Sequence, residues 1–583
     1  MTEKIWSVLE TDADLKLMSK VLGINEITAC VMANRGIRSK NAALAFLAPS
    51  VSQLRDPLLL KDMPRALERV VAAITNQEKI MIFGDYDADG IMSTVILFKT
   101  LRRLGADCEY YIPHRVEEGY GMNHVAVEKI AGMGVKLIIT VDNGISAINE
   151  IAAANALGVD TVIIDHHEPG FVSEEDDSRT DILPAAAAIV NPKQTDCEYP
   201  FKEMCAAALT FKLAAALCGN MGNPLCDAER DEFLVLAAIA TLCDIVELED
   251  ENRVIVTAGV AALNANKLIN PGLGSLITMR GYLEKPIDSF SVGFVIGPCL
   301  NATGRLESAS LAVELLLAEA DDMQKRLTLA QEIIGLNEAR KTLTAECVER
   351  VMASVNGELP KVLVLTDFDA HESIAGIVAG RVREITNRPT ILLTLGEGAA
   401  KGSGRSIGGY NLFESLYAHQ HLFTRFGGHA MAAGLSLPIE NIETLRNALN
   451  QDCTLSNNDF IPKLKIDRVL SPSEITLTLS NELAHLAPFG KGNHEPLFVS
   501  YGLFAEKVRV MNEKNTLIFT FVTKKGRLKG IAFGLNEAYA AATGNNKTEN
   551  ITIDAAFSIE TNVWNNVSEV QIRVKDFVVN NYA

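Results

Sequence analysis

A chain of 583 residues is too long for one hydrophobic core, so three or four domains are expected. Hydrophobic residues at 48% and charged residues at 22% exclude a disordered chain, and no apolar run approaches the ~18 residues of a membrane-spanning helix. The net charge of −19 counts against broad non-specific attraction to a polyanion. It leaves room for a narrow basic track, and a metal site itself requires clustered carboxylates. The opening residues MTEKIWSVLETDADLK have no apolar core before a cleavage site, so no secretory leader is expected and the cytoplasm is the expected location. Ten cysteines are scattered without a CxxC pair, which excludes the usual zinc-ribbon spacing and gives no reason to expect a disulfide framework.

Residues 1–75 read as a helical N-terminal extension. From 76 to 310, β-rich runs (Lys79 to Phe83, Cys108 to Ile112, Lys136 to Val141, Asp160 to Ile164) alternate with Ala- and Leu-rich helical stretches. That alternation predicts βαβ units and a mainly parallel sheet. Residues 311–356 contain no proline and read as one long connector helix. A second α/β set occupies 357–458: a strand Lys361 to Leu365, a helix Ile374 to Ile385 and a strand Thr390 to Leu395. Residues 459–583 are nearly charge-neutral and β-patterned (LIFTFVT, LKGIAFG, NITIDAAFSI, SEVQIRVKDFV), which predicts a small barrel or sandwich.

The sharpest local pattern is Met81-Ile-Phe-Gly-Asp85-Tyr-Asp87-Ala-Asp89-Gly90, an apolar strand running into alternating acids. An isolated acidic turn of this kind is as often merely solvated. A calcium loop is excluded, because the twelfth position is Ile96 rather than a bidentate Glu. The same design recurs in LIITV-Asp142-Asn-Gly and in TVII-Asp165-His166-His167. Ligands of open parallel sheets gather at the carboxyl ends of the strands, so three such deliveries converge on one spot. Asp244 follows the apolar run Leu234 to Cys243, at a helix end where a negative charge is disfavoured unless a cation is near. Asp and His together offer hard oxygen and imidazole donors, which suit Mn²⁺ or Mg²⁺. Carboxylates this crowded require positive charge between them, and two cations sharing a carboxylate form a site for attack on a phosphodiester.

The set GDYDADG, VDNG, DHH and Asp244 resembles the four motifs of the DHH phosphoesterase superfamily. YIPHRVEEGYG, NATGRLESA, LNEARK, GIVAGRVREITNRPTILL, KGSGRSIGGYNLFESL, FGGHAMAAGLS and LAPFGKGNHEPLF extend the resemblance, in order from about 80 to 500, to the RecJ family of single-strand exonucleases. The resemblance implies a DHH catalytic domain, a DHH-associated domain and an oligonucleotide-binding (OB-like) barrel. It implies a 5′-to-3′ exonuclease that hydrolyses single-stranded DNA with two ions of Mn²⁺ or Mg²⁺, releasing mononucleotides in repair and recombination. Position by position, Asp85 and Asp87 would ligate one metal each, Asp142 would bridge, and His166 with Asp244 would complete the second site. His167 would stand by the scissile phosphate, and Asp165 would orient an imidazole. Related pyrophosphatases carry a His where this chain has Met81, so the first metal site is expected to be weaker.

The stretch Lys401–Gly409 reads by itself as a flexible Gly/Ser turn, although its glycines permit an anion-binding backbone nest. By the same resemblance Ser403, Arg405 and Arg305 would hold a terminal 5′-phosphate, with Arg115 near the cleaved group and His429 on the substrate. His429 is equally readable as a structural residue of a tight turn. The resemblance also implies a monomer with a helicase and a single-strand binding protein as companions, and no membrane. The rival readings are an oligoribonuclease or cyclic-dinucleotide hydrolase, which would lack the N-terminal extension and the β-rich tail, and a non-catalytic replication scaffold.

Overall fold

The computed structural model describes residues 4–580 apart from 174–178, 356, 397, 545–546 and 566; the outermost ends of the expected first and last domains lie outside it. The chain divides into two compact bodies, residues 50–456 and residues 1–49 with 457–583.

In the first body, five strands form an all-parallel sheet in the order Cys108–Tyr111, Ile80–Phe83, Leu137–Val141, Asp160–Ile164, Ala188–Val190. Ile80–Phe83 and Leu137–Val141 are buried at every position, and apolar at all but Thr140, because helices cover both faces, as parallel sheets require. Helices Ala88–Arg103, Ala206–Asn220 and Asp227–Cys243 contribute to a core on one face, while His124–Gly132 and Ile148–Ala156 pack with the opposite face. The register sets Phe83 beside Thr140 and Val141 beside Ile164, so the acidic segments leave the sheet at one edge.

A second sheet in this body runs Arg425–His429, Ala432–Leu437, Ala400–Arg405, Thr390–Leu395, Leu363–Thr366. Only its last two strands are parallel. The Gly/Ser stretch is thus no flexible turn: Ala400–Arg405 is hydrogen-bonded on both sides, and Gly402 and Gly404 fit where a Cβ would lie 2.5 Å from Leu393 Cδ2 or 2.6 Å from Leu412 Cδ2. The expected connector helix is also corrected. Ser310–Leu317 is a separate helix buried in the first core, and the long helix is Met323–Ala353. The break falls at Ala318–Asp322, where Asp322 accepts the N–H of Lys325 and caps a new helix.

The second body corrects the reading of residues 1–75. Ile5–Val8 is a strand, paired in parallel with Lys463–Ile466, and Trp6 donates its indole N–H to Asp576. Helix Glu26–Asn34 buries Ile27, Val31 and Met32 in the core it shares with Leu479, Phe498 and Phe519. Residues 50–75 belong instead to the first body, through helix Met63–Thr75. An apolar helix face of this size has no core of its own to enter. The β-rich tail closes into a barrel, because Phe498–Met511 pairs with both Thr516–Thr523 and Glu549–Trp564. No helix among the described residues is long and apolar enough to cross a membrane.

One buried ion network ties Arg55 to the helices Ala206–Asn220 and Asp250–Ala265. Glu251 accepts from Lys212 Nζ (2.7 Å), Tyr199 OH (2.5 Å) and the Arg55 backbone N–H (2.7 Å), all around a carboxylate that is 1% exposed. Removing the ammonium strands that carboxylate in a dry site, at a cost of about 3–5 kcal/mol. Lys212→Met is therefore expected to lower the thermal midpoint of the full chain by several degrees. An unchanged midpoint would show that Arg55 alone neutralises Glu251.

Candidate metal centre

The three acidic motifs leave neighbouring strands through tight turns that only certain residues permit. Gly84 and Gly90 sit where a Cβ would approach Thr94 Oγ1 to 2.2 Å and the Asp85 carbonyl to 2.5 Å, so the loop folds back onto its own backbone. Asp87 caps helix Ala88–Arg103, its Oδ1 accepting the N–H groups of Asp89 (2.9 Å) and Gly90 (3.2 Å). Asp142 adopts a left-handed φ of 66°, and Asn143 donates to the carbonyls of Phe83 and Val141, pinning the turn across two strands.

The structure brings the expected acids and imidazoles together. Ligand atoms of Asp85, Asp87 and Asp142 lie within 4.8 Å of one another, as do those of Asp142, His166 and His167. His166 Nε2 stands 3.1 Å from Asp142 Oδ1 and 3.7 Å from Asp244 Oδ2. A further acid, absent from the expected ligand set, joins them: Asp89 Oδ2 is 3.7 Å from His166 Nε2, and Asp89, His166 and Asp244 form a third group. Asp89 is 1% exposed and accepts the N–H groups of Ala206 (2.7 Å) and Ala207 (2.8 Å) at a helix N-terminus. The strict alternation Asp85, Asp87, Asp89 was its signal in the sequence; its partner, the start of a helix 117 residues away, left none.

Electrostatics divides the acids into two kinds. Asp165 is buried, yet His167 and the N–H groups of Ile145, His166 and His167 hold its carboxyl well below the usual range. His167 Nδ1 lies 2.8 Å from Asp165, and despite the desolvation that opposes it this partner pushes the imidazole up to about 9. In the others burial and neighbouring acids outweigh whatever donors they have. Burial first, then repulsion from Asp87, raises Asp85; burial and then Asp89 raise Asp142. Asp89 is pushed up to about 6 by burial and Asp87, and Asp244 up to about 7 chiefly by burial. Asp85 Oδ1 and Asp142 Oδ1 are buried without a hydrogen-bond donor. Orphaned carboxylate oxygens facing an imidazole fit divalent cations, since a donor set of this hardness suits Mn²⁺ or Mg²⁺.

A cluster of cations stands beside the acids. Arg115 lies over the Tyr86 ring at 4.6 Å. Arg305 donates to the Ser373 carbonyl (2.8 Å), and burial followed by Arg115 and Arg340 lowers it to about 9. Arg405 donates to Ser403 Oγ (3.1 Å) and the Gly404 carbonyl, and is lowered by burial and by Arg383 and Arg115. Gly376 leaves the space beside them, where a Cβ would meet the Arg405 guanidinium at 2.7 Å. Guanidinium groups that repel one another in a desolvated place form a receptor for an anion with several oxygens. His429 is exposed at the end of the edge strand Arg425–His429, opposite Ala432, whose other neighbour in register is Arg405. Tyr120, not among the expected residues, donates toward the Asp142 carbonyl (3.3 Å) and stands 3.3 Å from His167 Nε2.

A parallel sheet that gathers Asp, Asp-Asn-Gly and Asp-His-His at its carboxyl edge, beside an arginine receptor, has the architecture of a DHH-type metal-dependent phosphoesterase. Residues 79–241 match the DHH family N-terminal domain, 359–454 the DHHA1 domain and 466–576 the RecJ OB domain. The chain is 38% identical to the single-stranded-DNA-specific exonuclease RecJ of Bacillus subtilis, over 99% of this chain and 71% of that protein. It is 32% identical to the Escherichia coli protein of the same name, over 87% of this chain and 88% of the other. The crystal structure of RecJ in complex with Mn²⁺ from Thermus thermophilus aligns with a TM-score of 0.82 at 28% identity, covering 98% of this chain and 79% of that one. The chain belongs to the RecJ family.

Native carboxylates raised above their unfolded value of 3.8 hold protons that the unfolded chain has released, so they weaken the metal-free fold as pH climbs toward about 7. A cation displaces those protons, so its binding strengthens over the same interval. At one fixed Mn²⁺ concentration, the rise in melting temperature on adding metal is expected to grow between about pH 5 and about pH 7.5. A metal-induced shift that stays flat or shrinks across that window would contradict the protonated cage.

Proposed function

We propose that this chain is a divalent-metal-dependent exonuclease that removes mononucleotides from single-stranded DNA, working from the 5′ end. The observation that carries the reading is the adjacency of a buried acid–imidazole cage, with two orphaned carboxylate oxygens, and a repelling arginine cluster. Asp85, Asp87 and Asp142 would hold one cation, and Asp142, His166 and Asp244 a second. Two such ions, Mn²⁺ or Mg²⁺, supply Lewis acidity toward phosphoryl oxygens and lower the pKa of water.

The chain's own residues do the rest. Arg305, Ser403 and Arg405 grip a terminal 5′-phosphate, and Arg115, braced on Tyr86, meets the phosphate being cleaved. Holding the strand end in this way converts a bimolecular encounter into a positioned one. His167 is protonated at neutral pH through Asp165, and its Nε2 offers a proton to the phosphate or the departing oxygen. His166 stays neutral because burial lowers it, which leaves a lone pair for a cation. Asp89, held by helix N–H groups, adds negative charge behind His166. His429 is assigned a more distant contact with the strand. The same reading gives a cytoplasmic role in repair and recombination, with a helicase and a single-strand binding protein as companions.

Relatives confined to dinucleotide cleavage, and scaffolds without chemistry, are disfavoured by the barrel domain and by the full set of acids and histidines. Degradation of labelled single strands with Mn²⁺ tests the reading. The wild type is expected to digest long DNA, and Asp142→Ala to lose at least about 100-fold in rate, more than the loss of an outer partner costs. Arg405→Ala should raise KM for a 5′-phosphorylated strand by about 10-fold or more and affect a 5′-hydroxyl strand far less. Equal inactivity of the wild type and Asp142→Ala would favour the scaffold, and full turnover by Asp142→Ala would refute the metal assignment.

A further inference from the structure

The helical run Ser289–Leu306 passes the metal centre along one face. Gly297 is seated against Cys243, the residue before Asp244, where a Cβ would lie 2.2 Å from Sγ. Asn301 accepts the N–H of Ala88 (2.7 Å) in the acidic loop. Gly304 rests on the Tyr86 carbonyl, and Arg305 reaches the arginine cluster. Positions 297, 301 and 305 repeat at α-helical spacing. Nearer the N-terminus of the same helical run the helix widens into a π turn, Val292–Ile296, and two phenylalanines one turn apart, Phe290 and Phe294, stand in place of packed residues. Phe290 and Phe294 are 57% and 65% exposed, and their rings stack at 4.8 Å with 24° between planes. Folding alone gives no reason to hold two adjacent rings in water, and π turns concentrate at functional sites.

We propose that Phe290 and Phe294 form a stacking platform for the unpaired bases that follow the cleaved bond, a reading that rests on the exonuclease function above. The order of features along the helix selects the occupant. With the terminal phosphate at Arg305 and the cleaved one at the acidic loop beside Asn301, the strand leaves past Asp244 toward the phenylalanines. From Asn301 back to Phe294 the helix rises about 10 Å, which at ~3.4 Å or more per nucleotide is no more than about three nucleotides. Every base has a face that stacks on an aromatic ring, so the platform is indifferent to sequence. A duplex keeps those faces inside its own stack, and the platform therefore favours single strands.

The test compares the full chain with F290A/F294A and with F290Y/F294Y, using Mn²⁺ and 5′-phosphorylated oligothymidylates from a dinucleotide to about a dodecamer. The ratio of variant to wild-type KM is expected to climb with length, by about 10-fold once the strand exceeds about four nucleotides, and the tyrosine pair to restore it. A ratio that does not change with length, whether near one or uniformly raised, would overturn the platform. Such a flat ratio with altered sedimentation would assign the face to contacts between copies of the chain. Fluorescence anisotropy of the same strands in Ca²⁺ separates the two claims. A wild type that digests nothing yet binds long strands more tightly than F290A/F294A refutes the exonuclease reading and supports the platform; one that neither digests nor binds refutes both.

Discussion

Mutual repulsion among buried carboxylates is the constraint around which the catalytic half is built. Asp85, Asp89, Asp142 and Asp244 are raised above their ordinary range by burial and then by neighbouring acids, Asp87 among them. A flexible loop would relieve that strain by turning the acids into water. Here they cannot turn. The parallel ladder fixes the three strand ends, Asn143 ties two of them together, and Gly90 locks the first loop onto its own backbone. The sheet holds the charges in place, and cations remove the penalty.

The acids are not equivalent, and the protein's own donors show which ones it reserves. Asp165 accepts three backbone N–H groups and faces an imidazolium; Asp89 takes two N–H groups from a helix start; Asp87 caps its own helix. Those three are satisfied by protein. Asp85 and Asp142 each keep a buried oxygen without a donor, and they mark where positive charge from outside belongs. The arginine cluster mirrors this logic with the sign reversed: Arg305 and Arg405 sit desolvated among other guanidiniums, held by a carbonyl and a hydroxyl rather than by carboxylates. This arrangement also answers the objection raised by the net charge of −19. Positive charge is concentrated where phosphate would meet it, and the acidic excess elsewhere does not have to bind anything.

Features written in short, one-dimensional patterns were legible in the sequence. The apolar strands ending in Asp, and their convergence, follow from parallel topology alone, and the structure places Asp85, Asp142, His166 and Asp244 together. What escaped depends on partners distant in the chain. Asp89 looks like one more acid of a loop until the N-terminus of Ala206–Asn220 arrives to bind it. Ala400–Arg405 has the composition of a turn, because glycine is required where neighbouring leucines crowd the strand. Ile5–Val8 pairs with a strand more than 450 residues away, so no local periodicity could reveal it. The break before Met323 turns on one capping aspartate in an otherwise helical composition.

Asn301, Gly304 and Arg305 give a single stretch of helix three duties: capping the acidic loop, seating against Tyr86 and entering the arginine cluster. The Arg305 bond to the Ser373 carbonyl carries that stretch across to the second α/β half, which supplies Ser403 and Arg405. The distance between the arginine cluster and the acid–imidazole cage is thereby set by helix geometry, at 1.5 Å per residue, and not by a loop. The two glycines matter for the same reason. A Cβ at Gly304 would meet the Tyr86 carbonyl at 2.1 Å and one at Gly297 would meet Cys243 Sγ at 2.2 Å, so either would push the helix off the cage. On the proposed reading, an enzyme that measures one nucleotide from a strand end needs a rigid ruler between the residues that would grip the end and those that would hold the metal, and this helix has the contacts of one.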